Sequence, residues 1–172
     1  MRRSLKFVAL FAVVALLGGC AVPVESRLDD YRSEGEAISQ QIVTSIPNAL
    51  VAEVDPEVDP EVDSKGRLAQ SSGDTPQTPA WWEVSTSVDL VEEPGTSEQA
   101  ATAVADSLVA DGWTKAEEKG SSDPVYQTDE YRRDGWYATI SWVRSAPNIV
   151  EDLGVLVVSP DTVRGDHDDV SS

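Results

Sequence analysis

Between Trp82 and Leu90 the chain alternates without a slip: Trp82, Val84, Thr86, Val88 and Leu90 on one phase, Glu83, Ser85, Ser87 and Asp89 on the other. Side chains of an extended strand point to opposite sides in turn, so this pattern turns one face to a core and the other to water. It requires a sheet and a second layer to cover the apolar face. Past the break at Glu92-Glu93-Pro94-Gly95, the residues Ala101, Val104, Ala105, Leu108 and Val109 recur at helical spacing. Thr96 and Gln99 form a capping box before them, and Gly112 stands where a glycine closes a helix. Trp113 to Lys119 then resumes as a short strand, and Gly120 to Pro124 is a turn.

Three further strands follow. Val125 to Arg133 is weakly patterned, and Asp134-Gly135 is a tight hairpin signal. Trp136, Ala138, Ile140 and Trp142 then share one face, with Tyr137, Thr139, Ser141 and Val143 on the other. Leu153 to Val158 is apolar on both phases apart from Gly154, as an interior strand requires, and Ser159-Pro160 ends it. The order predicts an α+β domain over residues 80–163. Its architecture is a two-layer sandwich, an antiparallel sheet with one or two helices packed on one face.

The flanks read differently. From Glu25 to Ile46 the residues Leu28, Tyr31, Ile38, Ile42 and Ile46 keep a helical stripe, with Ser26 and Asp29 as a capping box and Pro47 as the stop. This helix either overlies the domain's own sheet or serves as a coiled-coil stalk for a partner. Glu53-Val54-Asp55-Pro56 repeats as Glu57-Val58-Asp59-Pro60 and starts again at Glu61. Proline every fourth residue prevents a packed element, so residues 47–79 are expected to be a flexible, self-repelling acidic linker from which the domain hangs. Calcium binding by Asp55, Asp59, Asp63 and the three Glu of the repeat is disfavoured, because no glycine lets the repeat turn around an ion. Residues 164–172 are expected to be a disordered acidic tail.

At the start, Arg2, Arg3 and Lys6 precede an uncharged apolar run, Phe7 to Leu17, and the small pair Gly18-Gly19. These are the parts of a secretory signal peptide, residues 1–19, and the run is too short to span a bilayer. Leu17-Gly18-Gly19-Cys20 resembles the lipobox of bacterial lipoproteins. The resemblance implies lipidation of Cys20 as a thioether bearing fatty-acyl chains such as palmitate, with residues 20–24 as the anchored N-terminus. Two chains suffice for lasting attachment. The whole organisation resembles small lipoproteins of high-GC Gram-positive bacteria, which implies an extracytoplasmic, lipid-anchored domain on the cell membrane. Cys20 is the only cysteine, so lipidation would leave no thiol for a disulfide, nucleophile or metal.

Charge narrows the partners. The chain carries 31 acidic and 13 basic residues, net −18, and loss of Arg2, Arg3 and Lys6 makes that −21. Nucleic acid is therefore not an expected partner. His167, the only imidazole, sits in the acidic tail, where no rigid frame preorganises a triad or a metal site. Glu117, Glu118, Asp129 and Glu130 lie near strand ends and could supply a carboxylate pair, but any acidic surface offers such pairs. No phosphate loop, Cys-x-x-Cys pair or zinc-binding helix is present, so no cofactor, metal or catalytic residue is expected. Trp82, Trp136 and Trp142 follow the apolar phase and are assigned to the core. Trp81 lies off it, and Trp81, Arg132 and Arg133 are the candidate interaction surface.

The reading is a membrane-anchored extracytoplasmic lipoprotein whose small non-catalytic domain binds another cell-envelope component, protein or wall. The alternatives are a cell-wall hydrolase using a carboxylate pair, and a structural subunit of a membrane complex.

Overall fold

The computed structural model describes residues 25–53, 62–69, 75–116, 125–144, 150–168 and 170. In chain order the elements are α1 (Leu28–Thr44), a single 3-10 turn at Asn48–Leu50, β1 (Val62–Leu68), β2 (Pro79–Asp89) and α2 (Thr96–Ala110). Then follow β3 (Thr114–Lys115), β4 (Tyr126–Arg133), β5 (Trp136–Val143), β6 (Asp152–Val158) and β7 (Thr162–Val163). The strands form one antiparallel sheet in the order β1-β2-β6-β5-β4-β3, with β7 also on β2. Both helices pack against it, giving the expected α+β fold.

The alternation sets the faces. Val84 stands opposite Val157, which stands opposite Ala138, which stands opposite Tyr131. The row Thr86, Val155 and Ile140 lies beside it. All of these are buried, and with Trp82, Trp136 and Leu153 they form the inner face under the helices. The hairpin at Asp134-Gly135 has positive φ at both residues, 50° and 86°, the conformation whose twist suits a two-residue connection.

α1 lies on this sheet rather than standing away as a stalk. Leu28, Tyr31, Ile38, Ile42 and Ile46 are buried, and Gly35 lets the helix come close. A Cβ on Gly35 would sit 3.2 Å from a methyl of Val84 and 3.4 Å from the Trp136 ring. One turn on, the Ser39 and Thr86 hydroxyls hydrogen-bond at 2.9 Å, so the polar member of the β2 stripe is satisfied in the core. The Tyr31 and Trp136 rings meet edge to face, with centroids 5.6 Å apart.

Two expectations about the flanks need correction. Within the span 47–79, Val62–Leu68 is a strand that pairs with β2 from Val62 opposite Thr86 to Leu68 opposite Ala80. The acidic repeat therefore does not suspend the domain. Residues 54–61 lie outside the described residues, but before them Val51 bridges Leu90, and after them β1 joins the sheet. β1 has no apolar alternation because it is a charged edge strand, held by its backbone ladder. The expected tail, residues 164–172, is also held at Arg164, Gly165 and Val170, while residues 169, 171 and 172 lie outside the described residues. The Arg164 and Gly165 amides donate to the carbonyls of Thr78 and Pro76, and Val170 is buried. It lies against Gly66, where an added Cβ would be 2.6 Å from its methyl.

Candidate functional site

The alternation of β4 and β5 sends neighbouring residues to opposite sides, and this separates the candidates. Tyr131 is in the core, and Arg132 is exposed on the outer face. Arg133 sits at the rim of the inner side. Its guanidinium lies 4.8 Å from the Trp113 ring centroid, and its Nη1 donates to the Asp111 carbonyl at 3.1 Å. It thus closes the C-terminal end of α2, where carbonyls lack helical partners.

On the outer face one row crosses the sheet: Lys65, Glu83, Val158, Tyr137, Arg132 and Thr114. Trp81 flanks this row at the β2 end. It is half-buried, and its indole N–H donates to Glu83 Oε1 at 2.8 Å, while Arg67 Nε donates to Glu83 Oε2 at 2.8 Å. Trp81 and Arg132 therefore share a face, about 15 Å apart across three strand spacings. Arg133 does not share it.

Arg132 borders a shallow depression of about 470 Å³ lined by Thr114, Arg132 to Tyr137 and the turn between them. Its guanidinium carbon lies 5.6 Å from the Tyr137 ring centroid. Burial pushes the Tyr137 phenol above its ordinary value of 10.0. The phenol also hydrogen-bonds Thr139, which opposes that shift, and Glu130, which adds to it. A second depression, about 580 Å³, lies between the helices against Ala37, Gln40, Gln41, Thr44, Ser45 and Ser107. It carries no charged side chain and is wide open.

Among the described residues the candidate carboxylates do not assemble into a catalytic pair in a cleft. Asp129 pairs with Lys115 at 2.8 Å, while Glu130 is on the other face with Tyr137. Glu117, Glu118 and Cys20 lie outside the described residues. Asp89 and Asp152 do face each other across β2 and β6, and the Asp152 carboxyl is pushed up from its usual value by burial and then by Asp89. That pair is at the far end of the sheet, and neither residue lines either depression. His167 stands 4.0 Å from the exposed Asp29. Among the described residues no three His, Cys, Asp or Glu are grouped so as to hold a metal ion.

One carboxylate that no motif marked is structural. Glu151 is 4% exposed. Its Oε2 accepts from the Ser97 amide at 2.9 Å and hydroxyl at 2.6 Å, and its Oε1 from the Gly95 amide at 3.2 Å. It occupies the N-terminus of α2, where orphan amides and the helix dipole favour an anion. The Thr96 hydroxyl instead donates to the Glu93 carbonyl. Tyr137 and Thr114, which shape the depression, were also unmarked. Their signal was the phase, since both share the outer side with Arg132.

Compared with known proteins, the chain matches no family model, no curated protein and no solved structure. Among the described residues no helix is long and apolar enough to cross a membrane.

Proposed function

We propose that the protein is a bacterial lipoprotein, anchored through acylated Cys20 on the extracytoplasmic face of the cell membrane, whose α+β domain binds another envelope component without catalysing a reaction. The observation that carries this reading is the basic, apolar and small-residue sequence ending in Leu17-Gly18-Gly19-Cys20. The support for a binding role is the open outer sheet face, where Arg132 stands in a row with Tyr137, Val158 and Glu83, and Trp81 flanks that row on β2.

The path from anchor to domain is short. α1 starts at Leu28 and belongs to the folded body, so only residues 21–27 separate the acylated residue from it. A fully extended chain of that length reaches about 25 Å. Lipidation at Cys20 would therefore hold the domain close to the headgroups. The hairpin end of the sheet would be among the nearest parts, since Tyr31 in the first turn of α1 touches Trp136.

Two measurements test the reading. A fatty-acid probe should label the protein in cells, and Cys20→Ala should abolish the label; a variant that still labels overturns the anchor. In-cell cross-linking of the lipidated protein should then recover one recurrent envelope component. Recovery of nothing above background counts against the binding role. A structural role through α1 is disfavoured, because its apolar stripe is already spent on the sheet.

A further inference from the structure

We infer that the depression at the β4–β5 turn binds a carboxylate group, with Arg132 as the cation that recognises it. This rests on the reading of the domain as a binding module and names the chemistry of what it takes.

The first argument is that no carboxylate among the described residues forms an ion pair with Arg132. Acidic residues outnumber basic ones 31 to 13. Accordingly Arg27, Arg32, Lys65, Arg67, Lys115 and Arg164 each stand within ion-pair distance of an Asp or Glu. Among the described residues Arg132, Arg133 and Arg144 do not; Arg133 is turned to Trp113 and Asp111, and Arg132 is left unpaired at the depression although the chain offers a carboxylate two residues earlier on its face. That residue, Glu130, is taken up by the Tyr137 phenol. The Arg132 guanidinium instead rests near the Tyr137 ring, a contact that uses none of its N–H donors, and the residue as a whole is exposed.

The second argument is what surrounds it. Thr114, directly opposite Arg132 on β3, brings a hydroxyl to the same depression, and the turn at Asp134-Gly135 closes one side. A planar fork of N–H donors beside a hydroxyl suits the two oxygens of a carboxylate. The volume of about 470 Å³ lies within the range of small-ligand sites, roughly 300–1,000 Å³.

The third argument sets the ligand's remaining charge. Asp134 lines the same depression and has no ion-pair partner among the described residues. Its carboxylate and the chain's net charge of −18 oppose every additional negative group, which disfavours polyphosphates and polyanionic polymers. A zwitterion meets both charges of the depression, its carboxylate at Arg132 and its ammonium at Asp134. Free small molecules and peptide ends both carry that pair.

The test is a titration of the full-length protein, in nonionic micelles, with glycylglycine, N-acetylglycylglycine and glycylglycinamide, read by amide NMR at Thr114, Asp134 and Gly135. The first two should shift these amides, glycylglycine at the lower concentration, and the amide derivative should not. Arg132→Gln should weaken glycylglycine binding about tenfold, the scale of a lost charge-assisted hydrogen bond, whereas Lys65→Gln, at the opposite edge of the same outer row and away from the depression, should change it less than about twofold. Equal shifts from glycylglycinamide, or unchanged binding in Arg132→Gln with the rest of the spectrum preserved, overturn the site. Cross-linking separates this from the broader reading. A partner captured equally well by Arg132→Gln leaves the binding module standing without its carboxylate site. Glycylglycine binding with no captured partner leaves the site standing and removes the macromolecular partner.

Discussion

The two faces of the sheet are built from the same strands and obey opposite rules. On the inner face, Trp82, Val84, Val155, Val157, Ala138 and Ile140 are each at most 5% exposed, and even Thr86 is paired to Ser39. On the outer face the neighbours of those residues are Glu83, Ser85, Leu156, Val158, Tyr137 and Thr139, all partly or fully exposed. The inner face therefore answers to volume, and the outer face to charge and recognition. Adjacent residues of one strand should respond to substitution in quite different ways.

The sharpest contrast is Trp136 against Tyr137. Trp136→Ala removes a buried ring that touches Tyr31 and Gly35, and should cost about 3–5 kcal/mol by urea denaturation. Gly35→Val should be similarly harmful, since its methyls would have to enter the space of Val84 and Trp136. Tyr137→Ala, on the half-open side, should cost less than about 1 kcal/mol. Comparable losses at 136 and 137 would mean that something covers the outer face.

Glu151 comes next. Glu151→Ala strips three hydrogen bonds from the start of α2 and should destabilise by about 2 kcal/mol, with amide exchange increasing first at Ser97. An unchanged urea midpoint would show that solvent replaces the carboxylate without loss. Arg133→Ala should cost about 1 kcal/mol through the end of α2 and the Trp113 contact, while Arg132→Ala should stay within about 0.5 kcal/mol. The reverse order would exchange their roles and remove the basis for assigning recognition to Arg132.

The inner face was legible because burial on one side of a strand writes a period of two, and burial under a helix writes one of 3.6. That is how β2, β5, β6, α1 and α2 were readable. β1 was not, because an edge strand is held by backbone bonds, and Val62-Asp63-Ser64-Lys65-Gly66-Arg67-Leu68 carries charge where a central strand carries core. The cap of α2 was misread for a related reason. Thr96 and Gln99 have the spacing of a local box, yet Ser97 takes its carboxylate from Glu151, 54 residues away. Sequence spacing reports neighbours along a helix and is blind to a side chain delivered by the next strand but three. For the candidate site, the split between Arg132 and Arg133 was present in the phase. A two-residue turn places Arg133 opposite Trp136 and so on the core side, leaving Arg132 outside.

The smallest effect probes the outer face at its far end, where Asp89 and Asp152 stand directly opposite each other. Burial first, and Asp89 second, raise the Asp152 carboxyl above its ordinary value of 3.8. A raised acid binds its proton more tightly folded than unfolded, so its ionisation works against the fold. The penalty is complete above the folded value and is relieved as pH falls through it. Asp152→Asn should accordingly stabilise the domain at pH 7 by about 0.5 kcal/mol, the scale of a like-charge cross-strand pair. That advantage should shrink as the pH falls below the raised value, where the wild-type carboxyl takes up its proton. Urea midpoints of both proteins at several pH values decide it. A destabilised variant, or a gain that does not change with pH, would show that the outer face tolerates its paired acids at no cost. An acid-rich face would then be no guide to where the sheet holds its recognition chemistry.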